Sequence, residues 1–305
     1  KPGQDSFSSS RVPGGWNLHI IADGHGNNGD WVSDRAVRHL PYFLGSRECQ
    51  NLLRAQQVEE ALLKAFERLQ GDLVSSAWSA GVALQASGST VTAILRQAKS
   101  PVVWVANLGD SRTVLVKPNG TIAFSTLDHN PKNPTESKRV QECGCELTTT
   151  DAEDGEVLHK IVAKGMRGSM PELGFTRSLG DLLYKKYGVI AVPEIFRLEK
   201  ELGDMTGHFI LATDGVWEFL ENDEAANIAA GCDYEPSSTM EKLLKTSKQK
   251  WQEHEEDYYD DISAMMVPVE ELDVPSPELD DSCMAGVIHA SQECRGRIDQ
   301  LCTVQ

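Results

Sequence analysis

Basic residues are the scarce class in this 305-residue chain: 29 Lys and Arg stand against 46 Asp and Glu, a formal charge of −17. Nothing in it resembles a basic nucleic-acid face, which argues against DNA or RNA as a partner. The 38 residues from Pro268 onward hold eight acids and two arginines, and so −6 of that charge. Long apolar runs are missing as well; none approaches the ~18 residues that span a bilayer. The cysteines number seven. An odd, irregularly spaced set does not make a disulfide framework and fits reduced thiols inside a cell. Cys143-Gly144-Cys145 has no second pair to complete a zinc site and reads as packing beside a glycine helix stop. An initiator Met is also lacking, so the chain is read as a fragment from which a targeting segment could be missing.

What is present is enough for a sizeable core, with 40% hydrophobic residues. Residues 15–22 read as a strand. "QVEEALLKAFERLQGDL" puts Val58, Leu62, Ala65, Phe66, Leu69 and Leu73 on one helical face. Residues 89–95, 101–107 and 112–116 are β-rich and closely spaced, the last reaching the turn Pro118-Asn119-Gly120. With no helix between them they predict antiparallel meanders. Asn133-Pro134-Thr135-Glu136 starts a short helix that Gly144 stops. A strand at 208–213, helices at 222–231 and 239–253, and a strand at 261–267 complete the pattern. The whole predicts an α+β fold with sheets packed face to face. Regular strand–helix alternation is absent, which disfavours a doubly wound parallel sheet. Beyond 267 the composition turns acidic and Pro-containing, like a linker or tail.

Three strands end alike, at Asp23-Gly24, Gly109-Asp110 and Asp214-Gly215, and Asp260-Asp261 opens a fourth. Carboxylates at strand ends can converge on one sheet edge, where glycines permit close approach. Converged without cations they would repel and be costly to desolvate. Hard divalent ions with oxygen ligands, Mg²⁺ or Mn²⁺, would resolve that conflict, whereas a set of ordinary polar turns remains the alternative.

Eight stretches, in order, resemble the metal-dependent protein serine/threonine phosphatases of type 2C. They are "QDSF" (4–7), "DGHG" (23–26), "GST" (88–90), "VANLGDSR" (105–112), "DHNP" (128–131), "GFTRSLGD" (174–181), "LATDGVWEFLENDEA" (211–225) and "DDIS" (260–263). The resemblance implies a four-layer α-β-β-α sandwich in a catalytic domain over 1–267, with 268–305 an extension of unknown role. It implies two Mg²⁺ or Mn²⁺ ions: Asp23 bridging them, the Gly24 carbonyl binding one, Asp214 and Asp260 completing the first. Asp110, with Asp214, would serve a third, weaker site. His25 matches the family's general acid, which would protonate the departing Ser or Thr oxygen while a water between the metals attacks phosphorus. Phosphorylated proteins are the implied substrates, of a monomeric, intracellular enzyme in cytoplasm or nucleus.

The chain departs from the family pattern at several points. Gln4-Asp5 stands where an acidic pair is common, so the second metal would lean on Asp5. A phosphate-binding arginine of many members would lie just upstream of Lys1. Arg177 could reach the phosphate or serve in a salt bridge. His129 reads as structural, and Ser111 lacks the base a nucleophilic serine needs. Met166 and Met170 lie where the family has a mobile flap. A pseudophosphatase that only binds partners is the competing reading; such relatives usually lose a central aspartate, and here all are retained with His25.

Overall fold

Alternation along the strands sets the architecture. A computed structural model describes residues 3–151, 157–199, 206–255, 259–273 and 301–304. It begins with β1 (Ser6–Val12), β2 (Trp16–Ala22) and β3 (Gly24–His25), then α1 (Gly29–Leu44), α2 (Arg47–Arg54) and α3 (Val58–Ala80). Next come β4 (Gly88–Ser89), β5 (Val91–Gln97), β6 (Val103–Leu108), β7 (Arg112–Val116), β8 (Ile122–Ser125) and α4 (Pro134–Glu142). An antiparallel pair, β9 (Cys145–Asp151) and β10 (Val157–Ala163), precedes β11 (Leu179–Gly180), α5 (Leu182–Lys185) and β12 (Glu194–Leu198). The order ends with β13 (His208–Ala212), α6 (Asp214–Trp217), α7 (Asn222–Ala230), α8 (Pro236–His254), β14 (Ile262–Pro268), a 3₁₀ turn (Val269–Asp273) and β15 (Leu301–Val304).

Two five-stranded antiparallel sheets form, ordered β1-β2-β5-β6-β12 and β15-β14-β13-β7-β8. Successive strand residues face opposite ways. Ile21, Ile94, Val105, Leu115, Phe209 and Met265 from the two sheets share one cluster between them. Their neighbours Leu18, Ile20, Ala93 and Leu95 pack with residues of α1, α2 and α3, and Val114, Val116, Ile210 and Ala212 with residues of α6, α7 and α8. Each sheet is thus buried on both faces, which gives the expected four layers. Each fully buried Leu, Ile or Phe contributes about 1.5–3 kcal/mol relative to exposure.

Caps fix the helix ends. Asn133 accepts from the backbone N–H groups of Thr135 and Glu136 with Pro134 at the first helical position, and Glu235 does the same for Ser237 and Ser238. The latter helix therefore starts at Pro236, earlier than periodicity suggests. One expectation changes. The strands after residue 89 are not one meander: β5 and β6 lie in the first sheet, β7 and β8 in the second. The chain crosses between sheets at Gly109, whose φ of +105° suits only glycine. β14 ends at Pro268, at the expected boundary of 267. Val269 and Leu272 beyond it are fully buried, Arg96 Nη1 donates to the Val269 carbonyl and Asn17 Nδ2 to that of Leu272. Packing continues through Leu272. Farther on, β15 adds an edge strand to β14, while residues 274–300 of the expected extension at 268–305 lie outside the described residues.

Candidate active site

At the end of β2 the chain turns into the cleft, with the Asp23 N–H donating to the Thr90 hydroxyl at 3.2 Å. Gly24 follows because nothing larger fits: a Cβ there would sit 2.4 Å from the Gly29 carbonyl oxygen and 2.6 Å from that of Gln4. Asp110 leaves the sheet crossing at Gly109, Asp214 opens α6 directly after β13, and Asp260 precedes β14. These segments meet at a cleft of about 250 Å³ lined by Gln4, Asp23, Gly24, His25, Gly26, Thr90, Asp110, Phe175, Asp214 and Asp260. Five of the six expected ligand residues therefore share one cavity. Asp5 does not line it; it is half-buried and accepts from the Thr213 hydroxyl at 3.0 Å. Gln4, instead of supplying charge, donates its side-chain amide to the Gly26 carbonyl at 2.9 Å.

The carboxylates of this cleft are electrostatically unresolved. Among the described residues Asp5, Asp23, Asp110 and Asp214 form no ion pair with Lys or Arg. Burial, then the Asp214 and Asp5 charges, pushes Asp23 well above the usual carboxylate range. Burial with Asp214 and Asp128 raises Asp110 likewise. Asp214 is pushed up to about 7 by burial and Asp260, and Asp5 to about 8, chiefly by burial. One oxygen of Asp5 and one of Asp214 are buried without a hydrogen-bond partner. Buried oxygens of that kind call for a cation or a proton. Among the described residues no three His, Cys, Asp or Glu side chains are already gathered as around a single ion. The fit therefore rests on the donor set: hard oxygen atoms, like charged, and two of them orphaned, as suits Mg²⁺ or Mn²⁺.

Arg177 is engaged in a salt bridge. Its guanidinium does not line the cleft but grips buried Glu136, Nη2 to Oε1 at 2.9 Å and Nε to Oε2 at 3.1 Å, while Nη1 donates to the Val192 carbonyl. A bidentate carboxylate takes the fork that a phosphate would have used. Arg139 and the Thr176 hydroxyl also donate to Glu136. His129 is structural, as expected: it is buried, Nδ1 accepts from the Gly109 N–H at 3.1 Å, and burial lowers it to about 4. It steadies the backbone that carries Asp110. Ser111 is fully buried, its hydroxyl 2.7 Å from that of Thr90, and among the described residues no basic side chain bonds to that hydroxyl. Cys145 is buried with its thiol pushed up to about 11, mainly by burial, and is inert. Met170 packs on the cluster around Val140 and Ile161, and Met166 is exposed.

Sequence reasoning missed Asp181. The short strands β3, β4 and β11 form a separate sheet ordered β11-β4-β3. It joins three of the quoted stretches and sets Asp181 Oδ2 2.7 Å from His25 Nε2. Gly88 makes the meeting sterically possible, since a Cβ there would lie 2.4 Å from that Oδ2 and 2.7 Å from Nε2. A signal existed: Leu179-Gly180-Asp181 repeats the Leu108-Gly109-Asp110 that ends β6.

Among the described residues no helix is long and apolar enough to cross a membrane. Residues 4–254 match the family model for protein phosphatase 2C. The chain is 28% identical over 270 residues to "Probable protein phosphatase 2C 72" of Arabidopsis thaliana, covering 84% of this chain and 77% of that one. It is 30% identical over 251 residues to "Probable protein phosphatase 2C 48" of Oryza sativa subsp. japonica, covering 76% and 69%. Its fold is shared with the crystal structure of a serine-threonine phosphatase 2C from Toxoplasma gondii, at a TM-score of 0.69 and 21% identity over 88% of this chain and 90% of that one. With a family match that spans most of its length, the chain belongs to the protein phosphatase 2C family of protein serine/threonine phosphatases.

Proposed function

We propose that this chain hydrolyses phosphoserine and phosphothreonine in proteins, with two Mg²⁺ or Mn²⁺ ions held by Asp23, the Gly24 carbonyl, Asp214 and Asp260. The observation that carries the reading is a cleft of half-buried carboxylates, without basic partners for Asp23, Asp110 and Asp214, with a histidine among its lining residues. Asp110 would help hold a third, weaker ion together with Asp214, and Asp5 would support the set. Divalent cations in such a site make water a nucleophile at neutral pH and neutralise a phosphoryl group. The protein's own part is to bring the phosphoester against this cleft and to manage the leaving oxygen. A Ser or Thr alkoxide is too basic to depart unaided, and His25 lines the cleft as the proton donor. Phe175 lies against the imidazole, ring centroids 4.4 Å apart, and restricts where it can point.

The pseudophosphatase alternative is less well supported, because Asp23, Asp214, Asp260 and His25 are all retained and share the cleft. A phosphopeptide dephosphorylation assay with Mn²⁺, with Mg²⁺ and with EDTA tests the proposal. Phosphate release should vanish on chelation and return with either cation. Full activity in EDTA after exhaustive dialysis would sink the metal reading, and none under any condition would favour the binding-only relative.

A further inference from the structure

The cleft residues described so far leave one buried acid unexplained. Asp181 is completely buried, and its backbone sits at φ +47°, a region non-glycine residues enter at a cost. Its carboxylate reaches His25 Nε2 at 2.7 Å across 156 residues of sequence. The same Oδ2 accepts from the Ser178 hydroxyl at 2.6 Å. Lys185 Nζ in turn donates to the Ser178 carbonyl at 2.7 Å and lies 3.2 Å from the Ser178 hydroxyl oxygen. Burial alone would raise Asp181, but the His25 charge and hydrogen bond, Lys185 and Ser178 together hold it below the usual carboxylate range. An ionised carboxylate offers only acceptors, so the hydrogen of this bond belongs to His25 Nε2. That leaves Nδ1 as the ring nitrogen free to face a reacting group.

We propose that Asp181 is the positioning residue for His25: it holds the ring through Nε2–H and directs Nδ1 to the leaving oxygen. This rests on the phosphatase reading above. The proton balance is simple. In the doubly protonated ring, the Nδ1–H bond breaks as the P–O ester bond breaks, and the proton goes to the seryl or threonyl oxygen. The neutral ring that remains is the Nε2–H tautomer, the one to which the Asp181 carboxylate is bonded. Phe175 on the ring face and Gly88 beneath the contact leave the pair little room to rearrange. An acid–imidazole pair of this kind orients a catalytic histidine without touching substrate itself.

The test uses the full chain at saturating Mn²⁺, with a phosphoserine peptide and p-nitrophenyl phosphate, whose phenolate leaves without help. His25→Ala should lower kcat on the peptide by roughly 10²–10⁴-fold and far less on the aryl ester. Asp181→Asn should lower peptide kcat by about 10–100-fold, the usual loss when a ligand's orienting partner is removed. Its KM should hold, and its aryl ester rate should change by less than about threefold. The double variant should be no slower than His25→Ala alone, because the two act as one unit. If His25→Ala slows both substrates equally, the acid reading itself fails. If His25→Ala is selective but Asp181→Asn slows both substrates alike, or the two losses multiply, Asp181 is merely structural and the proposal is overturned. Should Asp181→Asn not fold, ¹⁵N-detected histidine NMR on the wild-type chain decides. Neutral His25 is expected as the Nε2–H tautomer, and the Nδ1–H tautomer would overturn the assignment.

Discussion

Glu136 and Asp23 are both carboxylates withdrawn from water in the same fold, yet they end in opposite electrostatic states. Around Glu136 the chain supplies everything an anion wants: Arg177 on two nitrogens, Arg139 at a third, and the Thr176 hydroxyl. Burial would raise its carboxyl, but those donors take it far below the usual range. Around Asp23 the charges that act on it most are Asp214, Asp5 and Asp260, all of the same sign, and they add to the effect of burial. A buried acid saturated by the protein is a brace, and one left hungry among other acids is a site. The same contrast explains why Arg177 does not serve the cleft. Its fork is committed to α4 and ties the loop before Asp181 to that helix.

The largest difference between the two regions should appear in activity. Asp214→Asn removes an oxygen donor from the cleft and is expected to cost more than about 10³-fold in phosphopeptide turnover, beyond the upper range for losing a single anion-stabilising donor. Asp128→Asn, which breaks the 2.8 Å bond of Arg112 Nη2 to a carboxylate outside that cleft, should leave metal titration curves near wild type. Coincident titration curves for the two variants would erase the distinction between donor and brace.

Stability should rank the regions the other way. Glu136→Gln leaves two arginines short of their partner and is expected to destabilise by on the order of 3 kcal/mol, read from urea unfolding. Asp23→Asn in chelator relieves like-charge repulsion and should leave stability unchanged or improved. A large loss there would mean that the cleft carboxylates are braced after all.

Acid and base limbs of stability offer a third separation. Glu136 has a depressed carboxyl, so its contribution is present above its ordinary value of 4.5 and is lost as pH falls through and below it. Asp5 and Asp214 are raised, to about 8 and about 7. In chelator their contribution is present below 3.8 and lost as pH climbs through those values. Urea midpoints of the metal-free chain should therefore fall toward neutral pH, and Mn²⁺ should lift that limb. Glu136→Gln should flatten only the acid limb and Asp5→Asn only the other; a swap of those effects would contradict the comparison.

A last comparison concerns the end of the domain. Ending the chain after Asp273 keeps Val269 and Leu272 in the core and removes the β15 pairing on β14. Ending it after Val267 empties both positions, at about 2–5 kcal/mol for side chains of this size. Equal thermal midpoints for the two truncations would show that the turn after β14 adds nothing.

Much of this molecule is written locally. Strand ends that carry Asp23, Asp110 and Asp214, the face of α3, and the Asn133-Pro134 helix start all depend on neighbours a few residues away, and periodicity and cap chemistry suffice to read them. α1 and β1 were harder. The helix carries an internal Pro41, and the burial pattern of the edge strand is mostly intermediate and exposed, so neither shows a clean period. What the sequence alone determined, then, is the list of acids able to meet a cation and the alternation that buries both faces of each sheet. Only the tertiary structure decided which partner each charge received. Arg177 met Glu136 across 41 residues and His25 met Asp181 across 156, because strand pairing and sheet crossing set those distances. A hydrogen bond depends on ångströms in space, and no spacing along the chain encodes them.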